Sequence, residues 1–97
     1  MDKRIRLNLL YDYYKDFFTE KQQSYFEDYY YSNYSLGEIA EANDVSRNAI
    51  HNQLKIVEEK LEEIENILNL VEKKEKVLNL LKEKVDNDTL DKIEDIL

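Results

Sequence analysis

The sequence predicts an all-α protein that contains a helix-turn-helix and an extended C-terminal helix. The 97 residues include no proline and one glycine, so almost nothing interrupts helix formation. The stretch SLGEIAEANDVSRNAIHNQL, from Ser35 to Leu54, has the caps, the turn and the apolar spacing of two crossing helices. Beyond it, apolar residues recur at alternating steps of four and three residues as far as Val71.

Two helices are predicted before the helix-turn-helix. The first covers about residues 3 to 18 and the second begins at Thr19, where Gln22 completes a capping box, and continues to about Ser32. The first helix has two adjacent apolar stripes, which together are wider than one core contact needs. One stripe consists of Leu7, Leu10, Tyr11, Tyr14 and Phe18, and the other of Ile5, Leu9 and Tyr13.

The helix-turn-helix is predicted from four polar positions. Ser35 and Glu38 form a capping box, Asp44 stands at the turn, and Ser46 caps the second helix. Aspartate tolerates the left-handed backbone conformation that the turn requires better than most residues. The alternative is a plain pair of amphipathic helices. Inward-facing side chains are expected at Ile39, Ala40, Val45, Ile50 and Leu54.

The second helix of the motif is predicted to continue far beyond it. Its apolar seam consists of Ile50, Leu54, Val57, Leu61, Ile64, Leu68 and Val71. A helix over residues 46 to 70 would be about 36 Å long, which a small helix-turn-helix core cannot cover. Either the helix packs against the tail of its own chain, or it pairs with a second subunit. Pairing predicts a dimer interface at Ile5, Leu9, Tyr13, Leu61, Ile64 and Leu68.

The seam weakens after Val71, where a new stripe begins. This stripe contains Val77, Leu78, Leu81 and Val85, and Asn87-Asp88-Thr89 then predict a helix end and a fresh cap. We therefore expect a helix-turn-helix domain with a long recognition and dimerisation helix over residues 1–70. Residues 71–97 are expected to form an acidic helical C-terminal extension.

Charge argues against strong nucleic-acid binding by a single subunit. The net charge is −8, whereas a typical DNA-binding domain is basic. Residues 1–55 contain seven basic and nine acidic side chains, and residues 56–97 contain seven and thirteen. The acidity is thus concentrated beyond the helix-turn-helix, so DNA affinity is expected to be weak.

The outward face of the recognition helix has side chains suited to reading a nucleic-acid groove. Asparagine binds adenine through two hydrogen bonds, arginine binds guanine, and lysine binds phosphate. The alternative is an ordinary solvated face. A basic cluster at Lys3, Arg4 and Arg6 would contact phosphate, contact an acidic partner or remain solvated. The candidate nucleic-acid-binding residues are Arg47, Asn48, His51, Asn52 and Lys55.

The aromatic residues allow a second nucleic-acid interpretation, whereas catalysis has little support. All eleven aromatics lie between Tyr11 and Tyr34. Stacking on unpaired bases competes there with helical spacing that predicts core positions, and Tyr31 and Tyr34 are expected on the surface. One histidine, no cysteine and no glycine-rich loop predict no enzyme, no metal site and no cofactor. Without a signal peptide or membrane span, a cytoplasmic location is expected.

Several of these segments resemble the YlxM family of small bacterial helix-turn-helix proteins over about residues 4–70. They are LLYDYY (Leu9–Tyr14), TEKQ (Thr19–Gln22), YYYSNYSLGEIAE (Tyr29–Glu41) and VSRNAI (Val45–Ile50). The second half also resembles region 4 of bacterial sigma factors, so the expected helix-turn-helix is sigma region 4-like and independent of a winged helix. The acidic tail beyond Leu70 is not part of the resemblance.

The resemblance implies an all-helical homodimer. The genes of that family neighbour those of the signal recognition particle pathway, so the resemblance also implies a role in that pathway. It places the five candidate residues against nucleic acid. Two hypotheses follow: a regulator that binds duplex DNA, or an accessory protein that contacts the signal recognition particle protein, its receptor or its RNA.

Overall fold

Six α-helices and one short 3-10 turn build the chain, and the computed structural model describes residues 2–97. Within those residues there is no strand, so the predicted all-α class is confirmed. The 3-10 turn, Lys15–Phe17, directly follows α1. The helices are α1 (Lys3–Tyr14), α2 (Glu20–Tyr30), α3 (Leu36–Asn43), α4 (Arg47–Leu68), α5 (Leu70–Leu81) and α6 (Asn87–Ile96).

The predicted α1 is too long by one turn. The α-helix ends at Tyr14, the chain tightens into the 3-10 turn, and Phe18 is extended with φ −109° and ψ 155°. This extended residue leads into Thr19, whose hydroxyl accepts a hydrogen bond from the backbone N–H of Gln22 at 3.1 Å. The Gln22 side chain accepts in return from the Thr19 N–H, so the capping box that starts α2 is present as predicted.

The helix-turn-helix, α3 and α4, has the predicted caps and turn. The Ser35 and Glu38 side chains each accept from the other's backbone N–H, at 3.1 and 3.0 Å. Asp44 ends α3 with φ 55° and ψ 46°, and Ser46 accepts from the N–H of Ala49. Val45 is the exception: it was expected to fill the turn but is 39% exposed. Its N–H is bound to the Ala40 carbonyl at 3.1 Å, which fixes its backbone while its side chain stays near the surface.

The centre of the protein is α4, which packs against α1, α2 and α3. The apolar seam is therefore covered from Ile50 to Ile64 by the chain's own N-terminal helices, an arrangement that neither of the two alternatives, the tail or a second subunit, predicted. The fully buried seam residues are Ile50, Leu54, Val57, Leu61 and Ile64, and they meet Leu7, Leu10, Tyr11, Tyr14 and Phe26 in one core cluster.

The seam does not continue on one helix to Val71. Asn69 adopts φ 55° and ψ 28°, a left-handed conformation that ends α4 at Leu68 and starts α5 in a new direction. Val71 is still buried, but it reaches the core from α5, which packs on α1. The first turn of the predicted extension thus belongs to the packed unit.

The last helix is held less firmly. α6 packs on α5 and has no fully buried residue. Its N-cap is Asp86, one residue earlier than predicted, and the Asp86 carboxylate accepts from the Thr89 N–H at 2.7 Å. No helix of the described chain is long and apolar enough to cross a membrane.

Candidate nucleic-acid interface

The first two turns of α4 place the candidate residues on one outward face. Because Ile50 and Leu54 point into the core, the side chains at the other helical positions are turned away from it. All of the candidates are exposed: Arg47, Asn48, His51, Asn52 and Lys55. Among residues 2–97, neither Arg47 nor Lys55 has an ion-pair partner. Their charge is therefore directed at solvent.

Arg4 belongs to the fold and not to a phosphate-binding cluster. Its Nη2 donates to the Tyr29 carbonyl at 2.8 Å, the Tyr30 carbonyl at 3.1 Å and the Asn33 side chain at 2.7 Å. The guanidinium carbon also lies 5.0 Å from the centre of the Tyr30 ring. Arg4 thus binds the carbonyls at the C-terminal end of α2, where positive charge is stabilised by the helix dipole.

The other two basic residues at the N-terminus bind carboxylates of α4. Arg6 makes a two-pronged contact with Glu62, with Nε–Oε1 at 2.7 Å and Nη2–Oε2 at 2.8 Å. This contact lowers the pKa of Glu62. Lys3 lies 3.3 Å from Glu58. The phosphate-contacting role considered for Lys3, Arg4 and Arg6 is therefore replaced by contacts within the chain.

Tyrosine hydroxyls bind further carboxylates. Tyr30 donates to Glu58 at 2.7 Å and Tyr11 to Glu27 at 2.6 Å. Burial, followed by the adjacent carboxylate, raises the pKa of both hydroxyls above the usual range. Tyr11 also stacks on Phe26, with ring centres 4.2 Å apart. Most of the aromatic residues between Tyr11 and Tyr34 are therefore part of the core.

Two tyrosines keep exposed surface, as predicted. Tyr31 is 46% exposed and Tyr34 is 51% exposed. The Tyr31 hydroxyl donates to Asp12 at 2.9 Å, which leaves part of its ring uncovered but fixes its tip. Tyr29, one of the aromatic residues for which helical spacing predicts a core position, is only partly buried and lies at the edge of the core cluster.

Glu65 has a structural role that the sequence did not reveal: it connects α4 to α1 and to the start of α5. It is only 4% exposed, and it accepts hydrogen bonds from the Tyr14 hydroxyl and from the N–H groups of Val71 at 3.2 Å and Glu72 at 3.0 Å. The carboxylate thereby satisfies two N–H groups at the start of α5. In the sequence it is one of five glutamates on α4, and no local signal separates it from the others.

The second half of α4 has a larger net negative charge than the whole C-terminal extension. Residues 56–70 contain five carboxylates and one lysine, a net charge of −4, whereas residues 71–97 contain eight carboxylates and six lysines, a net charge of −2. Three of the five α4 carboxylates, Glu58, Glu62 and Glu65, are bound to partners within the chain. Glu59 and Glu63 are exposed.

The residues predicted for a dimer interface are in two different environments. Leu61 is 0% exposed and Ile64 is 7% exposed, so neither has surface to offer a second copy. Tyr13 is partly covered by the tail, since its hydroxyl donates to the Leu97 carbonyl and Lys74 lies 5.4 Å from its ring centre. The residues that keep exposed apolar surface are Ile5, Leu9 and Leu68.

Comparisons with known proteins agree with this helical architecture. The family model described as "Putative helix-turn-helix protein, YlxM / p13 like" (UPF0122) matches residues 1–96. The match therefore includes the C-terminal extension, beyond the range of the resemblance seen in the sequence. No group of three or more potential metal ligands occurs among the described residues.

Several relatives are similar over most of their length. A UPF0122 protein of Halalkalibacterium halodurans is 47% identical over 89 residues, which are 89% of this chain and 82% of that protein. One from Shouchella clausii is 46% identical over 83 residues, covering 86% of this chain and 76% of the relative. One from Oceanobacillus iheyensis is 45% identical over 92 residues, covering 95% and 87%.

Proposed function

The chain belongs to the UPF0122 family of YlxM/p13-like helix-turn-helix proteins, and from this premise we propose that it is a regulator that binds duplex DNA. The observation that supports the proposal is the exposed face of α4, where the side chains of Arg47, Asn48 and Asn52 point to solvent in the first two turns. A helix-turn-helix presents this part of its second helix to the major groove.

Each side chain has a role in the proposed complex. Arg47 binds guanine and Asn48 or Asn52 binds adenine, because their paired hydrogen-bonding atoms match the base edges. Lys55 contacts phosphate. His51 lies on the same face as the two asparagines and Lys55. Glu59 follows one turn after Lys55 and repels the phosphate backbone, so only the first two turns of α4 enter the groove.

A homodimer is part of the proposal because one subunit lacks a strong electrostatic footprint. Residues 35–55 contain three acidic and two basic side chains, a net charge of −1. Two copies with recognition helices about 34 Å apart would bind half-sites one helical turn apart and combine two weak contacts. The exposed apolar side chains of Ile5, Leu9 and Leu68 are the remaining candidates for the contact between subunits.

The second candidate function is an accessory protein of the signal recognition particle pathway in the cytoplasm. Its support is the acidic surface: residues 86–97 contain five carboxylates and one lysine, and all five carboxylates are exposed. A basic protein, or a receptor with a basic surface, is the partner that such a surface attracts. If the partner is the RNA of the signal recognition particle, it would instead have to bind the exposed face of Arg47, Asn48 and Asn52 on α4.

The two functions are separated by one set of binding measurements. Fluorescence anisotropy measures how tightly the chain binds three labelled partners: duplex DNA, the RNA of the signal recognition particle, and the protein of that particle. Each is measured at about 50 mM and about 200 mM salt. Duplex binding should weaken steeply with salt, and Arg47→Ala should cost about 1–3 kcal/mol. Lys60→Ala is the matched control, since Lys60 is exposed on α4 but lies beyond the proposed interface.

Neutralising the tail provides the opposite test. The triple variant Asp91→Asn, Glu94→Gln, Asp95→Asn keeps the helix and removes three exposed negative charges. It should leave duplex binding unchanged or stronger, and it should weaken binding to a basic protein. Duplex binding that is insensitive to Arg47→Ala would refute the regulator, and protein binding lost in the triple variant would support the accessory function.

A further inference from the structure

A groove of about 530 Å³ lies between α4 and the C-terminal end of α2, beside the proposed DNA-binding face. Its apolar surface comes from the partly or fully buried side chains of Tyr30, Leu36 and Leu54. Sites for small molecules occupy about 300–1,000 Å³ and combine an apolar lining with a few polar groups. The volume of the groove lies within that range, and its lining combines these apolar side chains with charged ones.

Charged side chains of both signs surround the groove. Lys3 and Lys55 supply two ammonium groups, and Glu58 and Glu59 supply two carboxylates. A simple anion would be repelled by the carboxylates and a simple cation by the ammonium groups. Lys3 and Glu58 pair with each other, so a hydrocarbon would cover the charges of Lys55 and Glu59 without giving them partners, which is costly. The ligand must therefore combine an anionic group, hydrogen-bond donors and an apolar surface.

The Glu58 and Glu59 carboxylates differ in whether they already have partners within the chain. Glu58 accepts from the Tyr30 hydroxyl at 2.7 Å and lies 3.3 Å from Lys3, so it holds the groove's wall in place. Glu59 is exposed and pairs with no side chain within residues 2–97. An unoccupied carboxylate accepts two parallel hydrogen bonds from adjacent donors. Glu59 is thus the group available to a ligand.

Tyr29 supplies an aromatic surface at the same place. It lines the groove and is only partly buried, and its ring meets that of Tyr30 edge to face with centres 5.0 Å apart. Arg4 lies 5.7 Å from the centre of the Tyr29 ring but does not line the groove. A planar ring entering the groove would therefore find an aromatic neighbour.

We propose that this groove binds a single nucleotide, with its base against Tyr29, its base edge on the Glu59 carboxylate and its phosphate near Lys55, the lysine of the groove that has no ion-pair partner in the described chain. Guanine is the preferred base, because it alone presents two adjacent N–H donors to one carboxylate. The same chemistry comes from a free mononucleotide or from a nucleotide bulged out of a strand. A base inside a duplex cannot enter, since its faces are stacked and its edge is paired.

This inference goes beyond the proposed function, because the residues that recognise the base differ between the two sites. Arg47, Asn48 and Asn52 do not line the groove, and Glu59 and Tyr29 are not part of the DNA-reading face. Only His51 and Lys55 belong to both. Failure of duplex binding and failure of nucleotide binding are therefore distinguishable in one set of variants.

The test uses the full chain and two kinds of probe. Calorimetric titrations compare GMP with UMP, and anisotropy compares an RNA hairpin carrying one bulged guanosine with the fully paired hairpin. GMP should bind about tenfold more tightly than UMP, the difference expected for a charged hydrogen bond. Binding of GMP alone identifies a free nucleotide as the ligand, and stronger binding of the bulged hairpin identifies a nucleotide within a strand.

Matched variants locate the ligand. Glu59→Gln should remove the preference for GMP, whereas Glu63→Gln, the same change at an exposed site one turn further along α4, should not. Tyr29→Leu should weaken binding about tenfold, and Tyr29→Phe, which keeps the ring, should preserve it. Circular dichroism melts verify that each variant is folded.

Three results would overturn the proposal: no binding of either probe, equal binding of GMP and UMP, or equal losses in Glu59→Gln and Glu63→Gln. If Arg47→Ala abolishes duplex binding while GMP still binds, both sites exist and nucleotide binding in the groove does not require Arg47. If GMP binds but duplex DNA does not, the groove stands and the regulator hypothesis fails.

Discussion

The two halves of α4 perform different tasks on one continuous helix. In residues 47–55 the outward side chains are exposed and the cations Arg47 and Lys55 pair with nothing in the described chain. In residues 56–68, Glu58, Glu62 and Glu65 bind α1, α2 and the start of α5. The outward side chains of the first half are thus free of contacts within the described chain, whereas those of the second half connect α4 to its neighbouring helices.

The difference shows why a count of charges misjudges this surface. Counted from the sequence, residues 56–97 have a net charge of −6. In the structure, Glu62 is paired with Arg6 and Glu65 is buried, so part of that charge is compensated locally and is not presented to a partner. The repulsion that DNA would meet in the proposed complex therefore depends on which carboxylates are exposed, chiefly Glu59 and Glu63 on this helix.

The sharpest test of the second half is Leu61→Ala. Leu61 is fully buried, so its truncation should leave a cavity and lower the free energy of unfolding by about 2–5 kcal/mol. Ile67 on the same helix is 72% exposed, and Ile67→Ala should change stability by less than about 0.5 kcal/mol. Urea unfolding measures both. A Leu61→Ala loss that disappears on dilution of the protein would instead place Leu61 at a contact between subunits.

The next effect concerns the end of α4. Glu65→Ala should lower the free energy of unfolding by about 1–3 kcal/mol, because the Tyr14 hydroxyl and two N–H groups of α5 lose their acceptor. Glu65→Gln retains one acceptor oxygen and should cost less. Glu63→Ala, at an exposed site, is the control for urea unfolding. Equal stability of the Glu63 and Glu65 variants would show that the junction does not depend on this carboxylate.

High pH should weaken the same junction. Burial, followed by the hydrogen bond to Glu65, raises the pKa of Tyr14 to about 12, whereas an unfolded tyrosine has a pKa of about 10. Because the folded state favours the neutral hydroxyl, this stabilisation is complete below pH 10 and is lost as the pH rises towards 12.

Two measurements check this dependence. Urea midpoints should fall between pH 10 and 12 in the native chain and fall less in Tyr14→Phe. Absorbance of tyrosinate should rise later in the folded than in the unfolded protein. Simultaneous titration in both states would remove the basis for this prediction.

The smallest effect is expected at the Arg6–Glu62 pair, whose side chains are 43% and 41% exposed. A double-mutant cycle with Arg6→Gln and Glu62→Gln should yield a coupling energy of about 0.2–1 kcal/mol. Since the arginine lowers the pKa of Glu62, the coupling is present above the usual glutamate pKa and is lost as the pH falls through the lowered value. A coupling that persists in strong acid would contradict this origin.

Local signals in the sequence predicted the helix starts well. The capping boxes at Thr19 and Ser35, the left-handed Asp44 and the Ser46 cap depend on neighbouring residues, and all are present. The helix was predicted to end at residue 70, two residues after its observed end at Leu68, but the left-handed break at Asn69 was missed because the apolar spacing continues through it. What fixes the break there is Glu65 with Tyr14, 51 positions away in the chain, and no local pattern encodes that contact.

The sequence predicted which residues of α4 are buried, but it did not predict which part of the structure covers them. The seam residues were recognised as inward-facing, but periodicity does not say whether another helix of the chain or a second subunit covers them. The same limit applies to the candidate site. Spacing identified the outward face of Arg47, Asn48 and Asn52, and the structure adds the groove at Tyr29 and Glu59, which brings α2 and α4 together from distant positions.

The most direct test of the division of α4 is an NMR titration of isotope-labelled full-length protein with duplex DNA at about 50 mM salt. Amide and side-chain shifts should change in residues 47–55, with little change in residues 56–68. Arg47→Ala should reduce the changes at a given DNA concentration, as expected for a loss of about 1–3 kcal/mol, without altering the unfolding midpoint. Shift changes centred on residues 56–97, or binding that survives Arg47→Ala intact, would contradict the account.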